Sequence, residues 1–287
     1  MENEFITPNG RDAQTRATGK RRPNNIWLII IAALFIVVPF LTWYLTWFGR
    51  TLSDEDVARY LADENSPRHL QHGLSQVAER IEQGDPQVRK FYPQVIVLSK
   101  NPIAEIRKTT AWVMGQDNSS EEFHQGLLAL LNDPDALVRR NAALQLVRFG
   151  DSSGRAELRA MLQPFEVKSS LSGAVVSILV NGSIVRGGGL IARIRDDSGT
   201  VQEFRSPMDG AIAKLLIHEG EGVVTGQAIA LLAPDRATVN DSLRALTFVG
   251  TKDDLEIIDS YANNASNDAE LRQVAAEVTK SIRARNP

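Results

Sequence analysis

Cysteine is absent from the 287-residue chain, which excludes disulfides, thiol catalysis and cysteine-ligated metals together. A large charge of either sign is also absent, since the net charge is −3 and no basic stripe appears beyond the N-terminus. Histidine is scarce and occurs as His69, His72, His124 and His218. His69 and His72 share a helix turn, but no H-E-x-x-H motif or third ligand accompanies them. The sequence thus offers no case for a nucleic-acid partner or a metal centre.

The motifs of common active sites are missing as well. No serine stands in a G-x-S-x-G elbow, and the run 187–189, GGG, lacks the G-K-[ST] and the following helix of a phosphate loop. Asp196 and Asp197 fit a turn beside serine and glycine. Glu121 and Glu122 fit a helix start, where acidic side chains favour the dipole. We therefore expect a non-enzyme with no catalytic residue, no cofactor-binding residue and no metal ligand.

One long apolar run is present. Residues 26–48, IWLIIIAALFIVVPFLTWYLTWF, carry no charge, and at ~1.5 Å per residue they span roughly 34 Å, enough to cross a bilayer. Basic residues are denser before the run than after it, which predicts a cytoplasmic N-terminus and an extracytoplasmic bulk. The sequence predicts a single-pass anchor in a bacterial inner membrane, with a disordered tail at 1–25. A cleaved signal peptide is the alternative.

Helical periodicity marks residues 54–164, and part of it repeats. NPIAEIRKTTAWVMG begins at Asn101 and DPDALVRRNAALQLV begins at Asp133, so the two copies are 32 residues apart. Arg107 in the first copy matches Arg139 in the second. A repeated helix pair of this length cannot bury its apolar face alone, so the copies are expected to stack into a solenoid.

The pattern D/N-P-x-x-x-(V/I)-R resembles the short HEAT-like repeats of bilin-lyase-related bacterial proteins. The resemblance is strong over 101–163 and weaker over 54–100. It implies that Arg107 and Arg139 pair with acidic or carbonyl groups of the adjacent repeat, rather than forming a basic ladder for a ligand. We interpret Trp112, inside the first copy, as a core residue.

Residues 165–234 change to short runs of valine, isoleucine and leucine separated by glycine, which predicts strands. This segment is a second duplication, since 171–194 matches 207–232 with Gly173 paired to Gly210 and Gly188 paired to Gly226. Glycines at these positions are typical of tight turns and close backbone approaches. We expect the two halves to interlock into a flattened barrel.

The motifs G-x-V-x-x-I-x-V-x-x-G, S-P-M-x-G and E-G-x-x-V-x-x-G-Q-x-I resemble the biotinyl/lipoyl (barrel-sandwich hybrid) domain, which periplasmic adaptor (membrane-fusion) proteins also use. The resemblance places the modified lysine eight residues before Pro207, where this chain has Gly199. Lys168 and Lys214 stand elsewhere in the segment. No swinging arm is expected. The long helical hairpin of efflux adaptors is missing too.

The predicted fold is α+β, with a disordered tail at 1–25, a transmembrane helix at 26–48, HEAT-like repeats at 54–164, a lipoyl-like β domain at 165–234 and C-terminal helices at 235–287. The predicted function is a membrane-anchored extracytoplasmic scaffold that binds envelope proteins, with a link to transport or efflux. A homo-oligomer is one possible assembly. The alternative is an accessory subunit of a respiratory or biotin/lipoyl-dependent complex, or a repeat-type lyase.

Overall fold

The computed structural model describes residues 26–47 and 51–285, which belong to two compact units divided between Thr51 and Leu52. The first unit contains helix α1, Ile26–Trp47, with Pro39 inside it. The second unit contains all the remaining described elements. The tail at 1–25 that we predict to be disordered lies outside the described residues.

The prediction of a single-pass membrane anchor at 26–48 is wrong for the part of the chain that the structure describes, because no helix there is long and apolar enough to cross a membrane. The inner-membrane localisation and the orientation, both inferred from the anchor, are corrected with it.

The second unit begins with seven helices among its described residues. They are α2 (Asp54–Leu61), α3 (Pro67–Glu82), α4 (Tyr92–Leu98), α5 (Ala104–Met114), α6 (Glu121–Leu130), α7 (Ala136–Leu146) and α8 (Arg155–Ala160). Helices α3, α5 and α7 contact one another in order, and α4, α6 and α8 contact α5 or α7. The helices therefore stack as the repeat pattern predicts.

The helix starts follow the sequence signals. Oγ of Ser53 accepts a hydrogen bond from the N–H of Asp56 at 3.2 Å, and α3 begins at Pro67, where a missing N–H costs nothing. The chain forms a 3₁₀ helix at Pro86–Phe91 and begins α4 at Tyr92, which puts Pro93 in the first turn of a helix, where proline is tolerated.

Eight strands follow α8 in the described chain. They are β1 (Phe165–Lys168), β2 (Gly173–Ile178), β3 (Ile184–Val185), β4 (Leu190–Arg195), β5 (Val201–Arg205), β6 (Gly210–Leu215), β7 (Gly222–Val223) and β8 (Ala228–Pro234). All pairings are antiparallel, and the sheet orders are β1-β8-β6-β3 and β5-β4-β2-β7.

The duplication predicted in this segment is visible in the sheet orders. Exchanging β2 with β6, β3 with β7, β4 with β8 and β1 with β5 converts one sheet into the other. The short strands β3 and β7 each pair with the opposite half, β3 with β6 and β7 with β2, so the halves interlock. Equivalent register shifts interrupt β2 after Val175 and β6 after Ile212.

The expectation of a barrel is wrong, because no barrel closes among the described strands. The eight strands form two separate sheets of four, and no strand pairing joins one sheet to the other. The strands that cross between the halves, β3 and β7, have two residues each and pair on one side only. The architecture is α+β with two open antiparallel sheets.

Within the described residues, three α-helices follow β8: α9 (Arg236–Val249), α10 (Leu255–Asn263) and α11 (Ala269–Arg285). Their buried side chains share a core with Leu158, Met161 and Leu162 of the earlier helices. Oγ of Ser242 in α9 donates to the carbonyl of Leu158 at 2.7 Å. The strands are thus an insertion after α8, and α9 resumes the helical stack beside α7 and α8.

Candidate functional site

A face of the helical stack carries matched side chains from the two sequence copies. Helices α5 and α7 both have 11 residues and begin 32 residues apart. Lys108 of α5 corresponds to Arg140 of α7, Trp112 to Leu144, and Gln116 to Arg148. The first two residues of each set are four positions apart and therefore lie on one side of their helix, while Gln116 and Arg148 follow just after the helix ends. We call this surface, extended by Asp241, Arg244 and Phe248 of α9, the α5–α7–α9 face.

Arg107 and Arg139 are held away from this face by links between repeats. Nε and Nη2 of Arg107 donate to both carboxylate oxygens of Asp133 at 2.6 and 2.8 Å, and Nη1 donates to the carbonyl of Asn101 at 2.8 Å. Arg139 repeats the pattern, with Nη1 bound to the carbonyl of Asp133 at 2.9 Å and Nε to Glu157 at 2.7 Å. The pairing that the resemblance implied is confirmed.

A pocket of about 520 Å³ opens between α7 and α9. Its apolar lining includes Leu144, Val147, Ala245 and Phe248, and its charged lining consists of Arg148, Asp241 and Arg244. Phe248 is 71% exposed although its ring is apolar. The pocket therefore offers an apolar floor with two arginines and one aspartate around it.

A second pocket of about 470 Å³ adjoins the first, and both are lined by Leu144 and Asp241. Lys108 and Arg140 line it from the helices, while Gly187 and the segment 207–209 line it from the inserted strands. Arg140 is only 7% exposed, and its guanidinium lies 5.0 Å from the ring centroid of Phe165. This pocket joins the repeat helices to the β insertion.

The comparison with protein families bears on these helices. Residues 125–153 match the HEAT repeat. The match begins inside α6 and runs through α7 and the 3₁₀ turn after it, so it covers Arg140, Leu144 and Arg148 of the α5–α7–α9 face. HEAT repeats use extended concave surfaces to bind proteins. This supports a role in protein interaction.

The comparison with curated proteins returns no match. The HEAT match lies outside 165–234, and it lends no support to a lipoyl-like domain, an adaptor or an efflux role. What is established is coarser: a chain with a HEAT repeat, two antiparallel sheets and helices that continue the stack.

The interpretation of Trp112 as a core residue is wrong, because its side chain is 42% exposed. Helix α5 contacts α3 and α7 as well as α4 and α6, and these contacts bury Ile106, Ala111, Val113 and Met114. Trp112 lies on the arc of the helix that these neighbours leave uncovered. Sequence periodicity gives the width of a buried stripe but not which neighbours flank it.

The four histidines lie in three separate places, with His69 and His72 together beside Tyr60. Nδ1 of His69 contacts Oδ2 of Asp63 at 2.6 Å, and the ring stacks on Tyr60 with centroids 4.3 Å apart. His72 meets the same tyrosine edge-on at 5.6 Å, and its pKa is lowered by burial and by the neighbouring His69.

The other two histidines also have acidic neighbours. Nε2 of His124 contacts Asp151 at 2.7 Å, while His218 contacts Glu221 at 3.2 Å on the surface. Among the described residues, no group of three or more metal-ligating side chains comes together.

The acidic and glycine-rich motifs serve local structure. Oδ1 of Asp196 accepts from the N–H groups of Ser198 and Thr200, each at 3.0 Å, which closes the turn between β4 and β5. The N–H of Gly187 donates to Oδ1 of Asp209 at 2.6 Å. Glu121 and Glu122 occupy the first turn of α6, as expected.

Sequence reasoning missed Arg140 and Phe248. A signal for the first was present, because the dipeptides Arg107-Lys108 and Arg139-Arg140 repeat with the same spacing. The first basic residue of each pair links the repeats, and the second lies on the α5–α7–α9 face. Phe248 has no such signal, since its helix joins α7 only through tertiary packing after the β insertion.

Proposed function

We propose that this protein is a non-enzymatic scaffold that binds a partner protein on its α5–α7–α9 face. The observation that carries the proposal is a pair of exposed aromatic side chains, Trp112 and Phe248, on a face that also contains a pocket of about 520 Å³. Aromatic residues and arginines are enriched at the energetic centres of protein interfaces.

The charges of the face indicate the chemistry of the partner. Arg148 and Arg244 line the pocket with a single acidic residue, Asp241. A segment with a leucine or aromatic side chain flanked by carboxylates suits this arrangement, because the apolar group fills the pocket and the carboxylates meet the arginines. Rim charges of this kind contribute more to specificity and association rate than to affinity.

The β insertion acts, in this proposal, as a rigid unmodified module. Gly199 stands at the turn position where the lipoyl resemblance would place a modified lysine, and it has a φ of +85°. Lys168 and Lys214 lie within β1 and β6 rather than at that turn. Intact mass spectrometry of the purified chain should show no lipoyl or biotinyl group. An added group on either lysine would contradict this part of the proposal.

The docking face is tested by site-specific crosslinking. A photo-crosslinking amino acid at Phe248 or Trp112 should trap a discrete partner, whereas the same amino acid at Val97 on α4 should not. Val97 is a matched control, since it is 66% exposed and apolar but lies outside the α5–α7–α9 face.

The trapped partner is then purified for binding measurements. Phe248→Ala and Trp112→Ala should each weaken binding at least tenfold, and Val97→Ala should leave it unchanged. Equal crosslinking at all positions, or binding indifferent to both aromatic substitutions, would contradict the proposal. Trapping a second copy of this chain would identify the partner as a homo-oligomer. A crosslinked redox, biotin or lipoyl enzyme would favour the accessory-subunit alternative.

A further inference from the structure

Arg140 is a buried cation without an ion-pair partner among the described residues. Its side chain is 7% exposed, and its Nε is buried with no hydrogen-bond partner. Nη1 lies 3.4 Å from Sδ of Met208, which is a weak acceptor. Within residues 51–285 no carboxylate lies at ion-pair distance from this guanidinium, and the acid whose field reaches it, Glu157, is bound to Arg139 at 2.7 Å.

Such an arrangement is costly unless something compensates it. Burial lowers the pKa of Arg140 below its usual value, with Glu157 acting in the opposite direction. Arginine nonetheless stays protonated in proteins, so its cost is that of a buried charge and not of a lost proton. The ring of Phe165 offsets part of this cost through its face, at 5.0 Å. A bound anion would offset more, because an arginine fork pairs with a carboxylate through two hydrogen bonds.

The pocket beside Arg140 limits the kind of anion. Apolar groups form much of its wall: Leu137, Leu144, Met161, Pro207 and Met208. Three aspartates also line it. Oδ1 of Asp209 accepts from Gly187 at 2.6 Å and Oδ1 of Asp235 accepts from Thr238 at 2.7 Å, while Asp241 is exposed. Lys108, the remaining cation, pairs with Glu105 at 2.7 Å.

These charges disfavour a multiply charged anion such as phosphate, since three carboxylates repel it and a single unpaired guanidinium attracts it. A ligand with one negative charge and an apolar body matches both parts of the pocket. We propose that the pocket lined by Arg140 and Met208 binds an organic monocarboxylate, with the carboxylate against Arg140. The source is either a free carboxylic acid or a glutamate or aspartate side chain on a peptide. This site adjoins the docking pocket and shares Leu144 and Asp241 with it, but it needs neither Trp112 nor Phe248.

The test is a titration of the full chain followed through the arginine Nε–H signals in ¹H–¹⁵N spectra. The Arg140 signal is assigned by its absence in Arg140→Lys. Benzoate should shift this signal in a saturable way, whereas benzamide and benzylamine, of matched shape, should not. The three probes are compared on the unsubstituted chain, and the variant serves only to assign the signal. Equal shifts with benzamide, or no shift with benzoate, would overturn the proposal.

Variants and two further probes sharpen the assignment. Arg140→Met should weaken benzoate binding at least tenfold, while Arg193→Met, on β4 and outside both pockets, should not change it. Inorganic phosphate binding as tightly as benzoate would contradict the monocarboxylate assignment. An end-blocked Leu-Glu-Leu peptide that binds more tightly than benzoate identifies a protein segment as the source. Binding of benzoate without the peptide identifies a free acid.

Discussion

Arg107 and Asp133 form a bidentate ion pair that connects one helical repeat to the next, with N–O distances of 2.6 and 2.8 Å. The side chains of Arg107 and Asp133 are 12% and 4% exposed. Asp133 also accepts from the N–H of Asp135 at 2.8 Å, at the start of α7. The Asp133 carboxylate therefore both supports the start of α7 and binds the arginine of the preceding repeat.

Removing one partner of this buried pair should be strongly destabilising. We expect Arg107→Met to lower the free energy of unfolding by about 3 kcal/mol, because the carboxylate of Asp133 is left buried without its cation. Arg139→Met is the matched comparison and should cost about 1 kcal/mol, because the Arg139–Glu157 ion pair is more exposed to solvent. Urea denaturation measures both. Equal losses would contradict the argument from burial.

Acid should weaken the same contact. Burial of Asp133 raises its pKa, but the Arg107 hydrogen bond and the Asp135 N–H outweigh burial, and the pKa lies below the usual 3.8. Because the folded-state pKa is depressed, the carboxylate stabilises the fold above the unfolded pKa and loses that contribution as pH falls through the folded value. Urea midpoints should fall from pH 6 to pH 3, and less steeply in Asp133→Asn. An unchanged slope in this variant would count against the contact.

Trp112 and Phe123 should respond very differently to truncation. Phe123 is fully buried and packs on Tyr92 with ring centroids 4.1 Å apart, so Phe123→Ala should cost about 3–5 kcal/mol. Trp112→Ala should change stability by no more than about 1 kcal/mol, because the side chain lies on an uncovered face. Thermal or urea unfolding distinguishes the two. A large loss in Trp112→Ala would show that the residue serves the core and would weaken its use as a docking residue.

Gly173 is expected to be irreplaceable in the β insertion. A Cβ there would lie 2.1 Å from the carbonyl oxygen of Arg195, and the backbone has a φ of +145°. Gly173→Ala should cost more than about 3 kcal/mol, combining a backbone clash with a disfavoured conformation. At Gly222 nothing lies within 4 Å of an added Cβ, so Gly222→Ala should stay within about 1 kcal/mol. Similar losses at both positions would contradict the assigned geometry.

Local signals in the sequence determined most helix starts, the two duplications and the repeat spacing. Ser53 and Pro67 mark helix starts because capping and a missing N–H act within one turn. The pairing of Arg107 with the next repeat was implied by the resemblance to HEAT-like repeats, and Arg139 repeats it. The duplicated β motif also predicted that Gly173 and Gly210 stand where the backbone turns or is approached closely. No local signal established the membrane anchor or the closed barrel that we expected.

Tertiary structure decided what the sequence left open. Strand order depends on pairing between distant segments, so the duplicated halves predicted interlocking but not two separate open sheets. Trp112 is exposed because α3 and α7 cover the other sides of its helix, which periodicity alone does not show. Arg140 and Met208 lie 68 positions apart and meet at 3.4 Å because the β insertion packs beside α7. Pockets formed by such long-range contacts have no local pattern, and only the folded chain assembles them.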